Sequence, residues 1–155
     1  MLKKTLLVLL LIFVFIQFFR PAKNVAAADQ PQALKKRYAI PAHVEASLQK
    51  ACYDCHSNNT RYPWYAEVQP VAWYLADHVK EGKAELNFDE FLSYPARKQD
   101  HKLEEVIETQ EEGTMPLSSY IAIHADANLT PKKKQEIIAW VNQTRKEINY
   151  QGNER

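Results

Sequence analysis

Apolar side chains recur at helical spacing along most of the chain. Val44 and Leu48 form one such stripe within residues 41–51, and Pro41 suits the first turn of a helix. The chain has only three Gly, which argues against a turn-rich β architecture. The pattern therefore predicts an all-α fold, with further helices over residues 70–82, 96–110 and 131–148.

The predicted C-terminal helix carries an apolar stripe along one side. Its members are Ile137, Trp140, Val141, Thr144 and Ile148. Thr130 and Pro131 supply a cap and a first-turn proline for this helix. An apolar stripe needs an apolar partner. We therefore expect the last helix to cross the first one, through the stripe of Val44 and Leu48.

The amino terminus has the pattern of an export signal. Lys3 and Lys4 precede an apolar run of 14 residues from Leu6 to Phe19. A bilayer core requires about 20 residues, so the run is short for a span. We nevertheless expect segment 1–23 to remain as an uncleaved anchor, although the small residues at 25–28 leave cleavage as an alternative.

The predicted anchor sets the expected location and the domain boundaries. Positive charge before the apolar run keeps that end in the cytoplasm, so the rest is expected in the periplasm, attached to the inner membrane by residues 5–19. Residues 24–40 show no sustained period and are rich in Ala, Gln and Pro, which predicts a linker. The folded domain is then expected over residues 41–149, followed by a tail at 150–155.

The charge balance argues against a nucleic acid partner. Removal of residues 1–28 takes away four basic residues and no acidic one, which leaves 16 basic against 19 acidic residues and a formal charge of −3. Nucleic acid binding depends on neutralising phosphate charges. The basic runs at 35–37 and 132–134 are interpreted as solvated faces or membrane-proximal charge.

Both cysteines of the chain lie in one short motif, Cys52-Tyr53-Asp54-Cys55-His56. Cys-x-x-Cys-His is the attachment signature of c-type haem, because two thiols at this spacing can each reach one vinyl group. His56 then falls beneath the iron as the proximal ligand. Its other ring nitrogen needs a hydrogen-bond acceptor, for which we expect a backbone carbonyl of the following loop.

Two other interpretations of the cysteine pair remain open. A structural zinc site usually has four ligands, so His78, His101 or His124 would have to complete it. A thiol–disulfide oxidoreductase would have a strand before the motif, and none is predicted there. Export also favours a disulfide, but two intervening residues make a small loop of little stabilising value.

A second candidate for haem ligation is Met115, which lies in the stretch Gly113-Thr114-Met115-Pro116-Leu117. Gly and Pro make this loop stiff and non-helical, and a thioether is a known sixth ligand that raises the reduction potential. Packing in the core is the alternative role. His78 and His124 are fallback ligands, because each lies on an apolar helical face.

The loop after the motif is polar and then aromatic, ending in Tyr62-Pro63-Trp64-Tyr65. Its rings are expected either to cover a haem face or edge, or to pack in the core. The two alternatives have equal support from the residues alone.

Together these elements resemble the cytochrome c fold. The stretch Cys-Tyr-Asp-Cys-His-Ser-Asn-Asn-Thr-Arg-Tyr-Pro-Trp-Tyr, the later Leu-Asn-Phe and Met-Pro-Leu resemble the haem-binding domain family of small exported bacterial proteins, over about residues 40–145. The resemblance implies one haem c, bound covalently by Cys52 and Cys55, with His56 proximal and Met115 distal. The loop after His56 lacks the Gly-Pro pair of better-known cytochromes c, and Pro63 and Pro70 are the available substitutes.

The leading functional hypothesis is a one-electron carrier that serves redox partner proteins, rather than an enzyme. A peroxidase-like or reductase haem is an alternative, which needs an open sixth position and His78 or His124 as distal acid or base. A haem sensor with ligand exchange at Met115 is another. A zinc-binding interaction module is the last.

Overall fold

The computed structural model describes residues 1–26 and 29–150. Within these residues the chain is helical and has no strand, apart from one isolated antiparallel bridge between Val25 and Asn59. The all-α prediction is confirmed. The α-helices are α1 (Leu2–Ile16), α2 (Ala42–Ala51), α3 (Tyr53–His56), α4 (Val71–Glu85), α5 (Ala96–Glu112), α6 (Ser118–Ile121) and α7 (Pro131–Ile148). Short 3-10 turns occur at Leu34–Lys36, Trp64–Glu67, Phe91–Ser93 and Ala125–Ala127.

Local signals account for the ends of two helices. Helix α5 ends at Gly113, which has a left-handed φ of 72° that glycine adopts without strain. Helix α7 begins after Thr130, whose hydroxyl accepts a hydrogen bond from the Lys133 N–H at 3.4 Å. The predicted end of α4 at Gly82 is wrong, because this helix continues to Glu85.

A single hydrophobic core joins the first and last helices of the domain. Val44 and Leu48 of α2 belong to the same buried cluster as Ile137, Trp140 and Val141 of α7, so the predicted pairing of the two stripes is confirmed. The other members of the cluster are Leu34, Tyr38, Leu86, Phe88, Phe91, Leu103 and Leu129.

The segment interpreted as a linker is packed against the domain. Leu34 and Tyr38 are buried in the core, and the Leu34 N–H donates to the Phe88 carbonyl oxygen at 2.8 Å. Residues 33–38 are therefore not a loose tether, because their apolar side chains complete the core. The domain boundaries themselves stay a prediction, and the suggested processing residues Ala27 and Ala28 lie outside the described residues.

Helix α1 contains Lys3, Lys4 and the apolar run as far as Ile16, and none of its 15 residues is buried. Within the described residues, no helix reaches the length and hydrophobicity that crossing a membrane requires.

Candidate haem-binding site

The cysteine motif lies in a single turn that follows α2. The Cys52 N–H donates to the Leu48 carbonyl oxygen at 2.8 Å, which extends the last turn of α2. The Cys52 carbonyl oxygen then accepts from the Cys55 N–H at 3.2 Å and the His56 N–H at 3.0 Å. This turn brings Cys52, Cys55 and His56 to the wall of one cavity.

The cavity in front of the motif has a volume of about 560 Å³. Helix α4 forms one side with His78 and Gly82, and the loop containing Met115 forms another. A neighbouring cavity of about 300 Å³ is also lined by Cys52, His56 and Met115 and extends towards the core. Ligand pockets typically measure about 300–1,000 Å³, so each of these two cavities, together called the crevice, has the volume of a ligand pocket.

A hydrogen bond at Nδ1 fixes the ring of His56 and leaves Nε2 free to ligate a metal. Its Nδ1–H donates to the Leu86 carbonyl oxygen at 3.0 Å, which places the lone pair on Nε2, the form that can ligate iron. Burial lowers the pKa of His56, although the Leu86 and Gly82 carbonyls act in the opposite direction, so the imidazole stays neutral.

The expectation that the loop after His56 supplies this acceptor, through Pro63 or Pro70, is wrong. The acceptor comes from the segment that follows α4, where the Phe88 N–H also donates to the His56 carbonyl oxygen at 2.8 Å. One side-chain bond and one backbone bond thus hold His56 against residues 86–88. Leu86 is 30 positions from His56 along the chain.

The two thiols are unpaired and protonated at neutral pH. Burial, followed by the charge of Cys55, raises the pKa of Cys52 to about 12. Burial, followed by the charge of Asp54, raises the pKa of Cys55 to about 11. Catalytic cysteines of thiol–disulfide oxidoreductases have a lowered pKa, so the environment of this pair does not favour that alternative.

The zinc alternative also lacks geometric support. Over residues 1–26 and 29–150, no group of three or more His, Cys, Asp or Glu side chains is placed to hold a metal ion. His101 is exposed on α5, where it lies beside Glu104 and Glu105. It does not line the crevice of the cysteine motif.

Met115 is half-buried and lines both cavities together with His56. Its loop is held to the end of α5, because the Gln110 amide donates to the Met115 carbonyl oxygen at 3.3 Å. The left-handed Gly113 turns the chain out of α5 just before this loop. The structure thus brings together the two residues that the sequence predicts as axial ligands.

The two fallback histidines have different surroundings. His78 lines the same cavity as His56, and its Nδ1–H donates to the Tyr74 carbonyl oxygen at 2.9 Å. His124 uses both ring nitrogens, one with the Tyr65 hydroxyl at 2.7 Å and one with the Tyr120 carbonyl at 3.2 Å. It lines a small cavity that Cys55 and His78 also line, but it does not line the cavity that contains His56. His78 is therefore the fallback histidine that shares a cavity with His56.

Asp54, inside the motif, is a structural residue that sequence reasoning missed. Its buried carboxylate accepts from Arg61 Nε at 3.1 Å, from Arg61 Nη2 at 3.0 Å and from the Tyr120 hydroxyl at 2.6 Å. The bond with Asp54 is the main cause that raises the pKa of Arg61. This carboxylate therefore ties both the following loop and α6 to the motif.

Gly82 allows α4 to lie directly against the motif. A Cβ atom built on this residue would lie 2.7 Å from the Cys55 carbonyl oxygen and 3.0 Å from the Cys55 Cβ. The glycine therefore serves close packing rather than helix termination, which explains why α4 continues past it. Its signal in the sequence is weak, because an isolated glycine near a helix end usually marks a cap.

We expect Gly82→Ala to disturb the site. In an open helix this change stabilises by up to about 1 kcal/mol, but here the added methyl group meets backbone atoms, and overpacking costs about 1–3 kcal/mol. The free energy of unfolding, measured with denaturant, and the haem content per chain should both fall. The control is Ala84→Gly, at an exposed position of the same helix, which should lower stability without lowering haem content. A Gly82→Ala protein with full stability and full haem would contradict the close contact.

Comparison with known proteins identifies the family. The model of the haem-binding domain family matches residues 11–143. This range contains the cysteine motif, the whole of α4 and the loop with Met115. Neither the curated proteins nor the solved structures contain a match to the chain. The chain belongs to the haem-binding domain family.

Proposed function

We propose that this haem-binding protein is a one-electron carrier with a haem c attached to Cys52 and Cys55. The observation that carries the proposal is that both thiols and His56 line one cavity, which Met115 also lines. Iron in such a site supplies reversible one-electron chemistry. The chain's contribution is to attach the group, orient its ligands and keep substrates away from the metal.

We assign the proximal position to His56 and the distal position to Met115. The hydrogen bond from His56 Nδ1–H to the Leu86 carbonyl supports the first role, because such a bond orients the ring and raises its basicity. The stiff loop supports the second role, because it holds the Met115 sulfur at the cavity wall. With both residues as ligands, a bound iron would have no open position, which would suit electron transfer and disfavour substrate binding.

Acidic side chains around the crevice suggest the kind of redox partner. Glu81, Glu85 and Glu105 are among its lining residues. Lys102 also lines the crevice, where its ammonium group pairs with Glu85 at 3.0 Å and with Glu105 at 2.7 Å. Complementary charge speeds encounter and orients partners, so we propose that the partner presents a basic surface here.

The same proposal places the domain outside the cytoplasm. Lys3 and Lys4 lie in the first turn of α1, before its apolar run, and α1 has no buried residue. Positive charge before an apolar run favours a cytoplasmic amino terminus. The domain would then be periplasmic and held at the inner membrane by residues 5–19, in a compartment that suits haem attachment.

The proposal is tested by expressing the full chain with a periplasmic haem-attachment system. We expect the denatured protein to retain peroxidase-active haem on a gel, because only a covalent adduct survives unfolding. Metal analysis should give one iron per chain. A colourless protein with stoichiometric zinc would overturn the proposal.

A haem sensor with an exchangeable sixth ligand is the second candidate. It is favoured by one observation, that Met115 and His78 line the same cavity as His56. Exchange between them would change the potential, because a thioether raises it relative to imidazole. The ferric and ferrous spectra of wild type would then report different ligands, whereas an electron carrier keeps the same pair in both states.

A further inference from the structure

Exposed large apolar side chains of the domain are concentrated at one end. We define the aromatic end as the surface formed by Trp64, Val71, Trp73, Tyr74 and Ile123. Trp64 is 80% exposed and Ile123 is 62% exposed. Among the described residues after Phe19, the other large apolar side chains with comparable exposure are Val25 and Tyr150. A cluster of this kind on one face marks an interaction site.

These residues are close neighbours in space. Val71, Tyr74 and Ile123 line one small cavity together with Tyr65. The ring of Trp64 lies 5.9 Å from the ring of Tyr65, measured between centroids. Trp64 of the aromatic loop does not line the crevice, and its exposure shows that it does not pack in the core.

The aromatic end is joined to α1 by a specific set of hydrogen bonds. The Gln69 N–H donates to the Gln17 side-chain oxygen at 2.9 Å. The Phe19 carbonyl oxygen accepts from the Gln69 amide at 2.9 Å and from the Trp73 indole N–H at 2.7 Å. Gln69 is fully buried. These bonds hold the residues that follow α1 directly against the base of the aromatic end.

Charged residues at this junction are paired. Arg20 contacts Glu67 at 2.8 Å, and Lys23 also pairs with Glu67. Lys23 and then Arg20 hold the pKa of the Glu67 carboxyl below its usual value. Arginine and lysine next to an apolar helix are suited to the headgroup region of a bilayer.

We infer that the aromatic end lies in the lipid–water interface, with α1 inserted in the bilayer. The inference rests on the proposed membrane anchor. Helix α1 has 15 residues and is therefore about 22 Å long, against about 30 Å of bilayer core. A short apolar helix draws its flanking residues towards the membrane. Trp and Tyr favour that interface, since they combine an apolar body with a polar group.

A phospholipid surface explains the features better than a protein partner does. The aromatic end lies next to the end of α1, through the bond from Trp73 to the Phe19 carbonyl oxygen, and the apolar side chains of α1 are exposed all round the helix. A helix that is apolar on all sides is covered by lipid or by a protein core. The same environment that covers α1 therefore covers the side chains at its junction.

Contact at this end would fix the height of the haem crevice above the membrane. Helix α4 leads from Trp73 in the aromatic end to His78 and Gly82 at the crevice. These residues lie about 8 Å and 14 Å further along the helix axis than Trp73, at about 1.5 Å per residue.

The test measures the depth of nitroxide spin labels in the full haem-loaded chain. The protein is incorporated in vesicles of phosphatidylethanolamine and phosphatidylglycerol. Labels are placed through Trp64→Cys and Ile123→Cys, with Leu9→Cys to report insertion of α1. The matched control is Asn142→Cys, at an exposed position of α7. Collision rates with oxygen and with a water-soluble nickel complex give the depth of each label.

We expect labels at positions 64 and 123 to show several-fold less collision with the nickel complex than the label at position 142. Equal access at the three positions, with a lipid-embedded label at position 9, would overturn the contact. An aqueous label at position 9 would overturn it together with the anchor. Protection at 64 and 123 with dipolar coupling between labels would assign the face to a second copy and also overturn the inference.

Failure of haem attachment is detected separately. Wild type without an added cysteine should take up no label, because both native thiols are occupied by haem. Label uptake at Cys52 and Cys55 would contradict the proposed function alone. The same measurements in a Cys52→Ala, Cys55→Ala background give the depth of the aromatic end in either case.

Discussion

Replacement of Cys52 and Cys55 together by Ala is expected to remove all haem that survives denaturation. The motif contains both cysteines of the chain, so the double variant has no thiol that can form a thioether. The hydrophobic core should remain, because its twelve buried members do not include either cysteine. We therefore expect the haem stain to vanish while most of the helical circular dichroism signal is kept.

Single variants provide the control for this experiment. Cys52→Ala and Cys55→Ala each retain one thiol, so each should show a weaker haem stain than wild type. A double variant that retains stained haem after denaturation would show that attachment uses another residue. Loss of the helical signal would show instead that the domain needs the cofactor to complete its core.

The second large effect is expected for Met115→Ala. If its sulfur is the sixth ligand, the weak red charge-transfer band of sulfur ligation should vanish from the ferric spectrum. The reduction potential should fall, because thioether ligation raises it. The vacated position should also bind added imidazole more tightly than wild type does. Visible spectroscopy measures the band and the binding of imidazole, and a redox titration measures the potential.

His78→Ala is the matched control, since His78 lines the same cavity. It should keep the red band and change the potential less than Met115→Ala does. If wild type lacks this band and His78→Ala opens the sixth position, the iron is ligated by two histidines. His124→Ala should leave the ferric spectrum unchanged, because both nitrogens of His124 are bonded within the protein.

Much of the fold follows from signals that are local in sequence. The stripes of Val44 and Leu48 in α2 and of Ile137, Trp140 and Val141 in α7 predict their common core. Caps at Thr130 and Gly113 mark helix ends that the structure contains. The haem motif is equally local, because its chemistry depends on the spacing of three residues.

The features that were missed depend on contacts between distant parts of the chain. The acceptor of the His56 proton is the carbonyl of Leu86, and any residue type supplies a carbonyl. Gly82 resembles a helix stop until α3 is seen to pack against it. Leu34 and Tyr38 stand in a segment without periodicity, so their burial becomes visible only when the core that they complete is known.

Two points of attachment between α1 and the core, at Asn24 and Leu34, would limit how far a bound haem can move. A flexible linker of the 17 residues 24–40 would give a root-mean-square reach of about 20–25 Å. Here the Asn24 amide donates to the Ser57 carbonyl at 2.9 Å, and Leu34 is fixed in the core. On the proposed membrane, the domain of such a carrier would not move by the length of a flexible linker to reach its partners. Electron delivery would then depend on lateral diffusion of the whole protein in the plane of the bilayer, and on a partner that presents its own redox centre at a matching height.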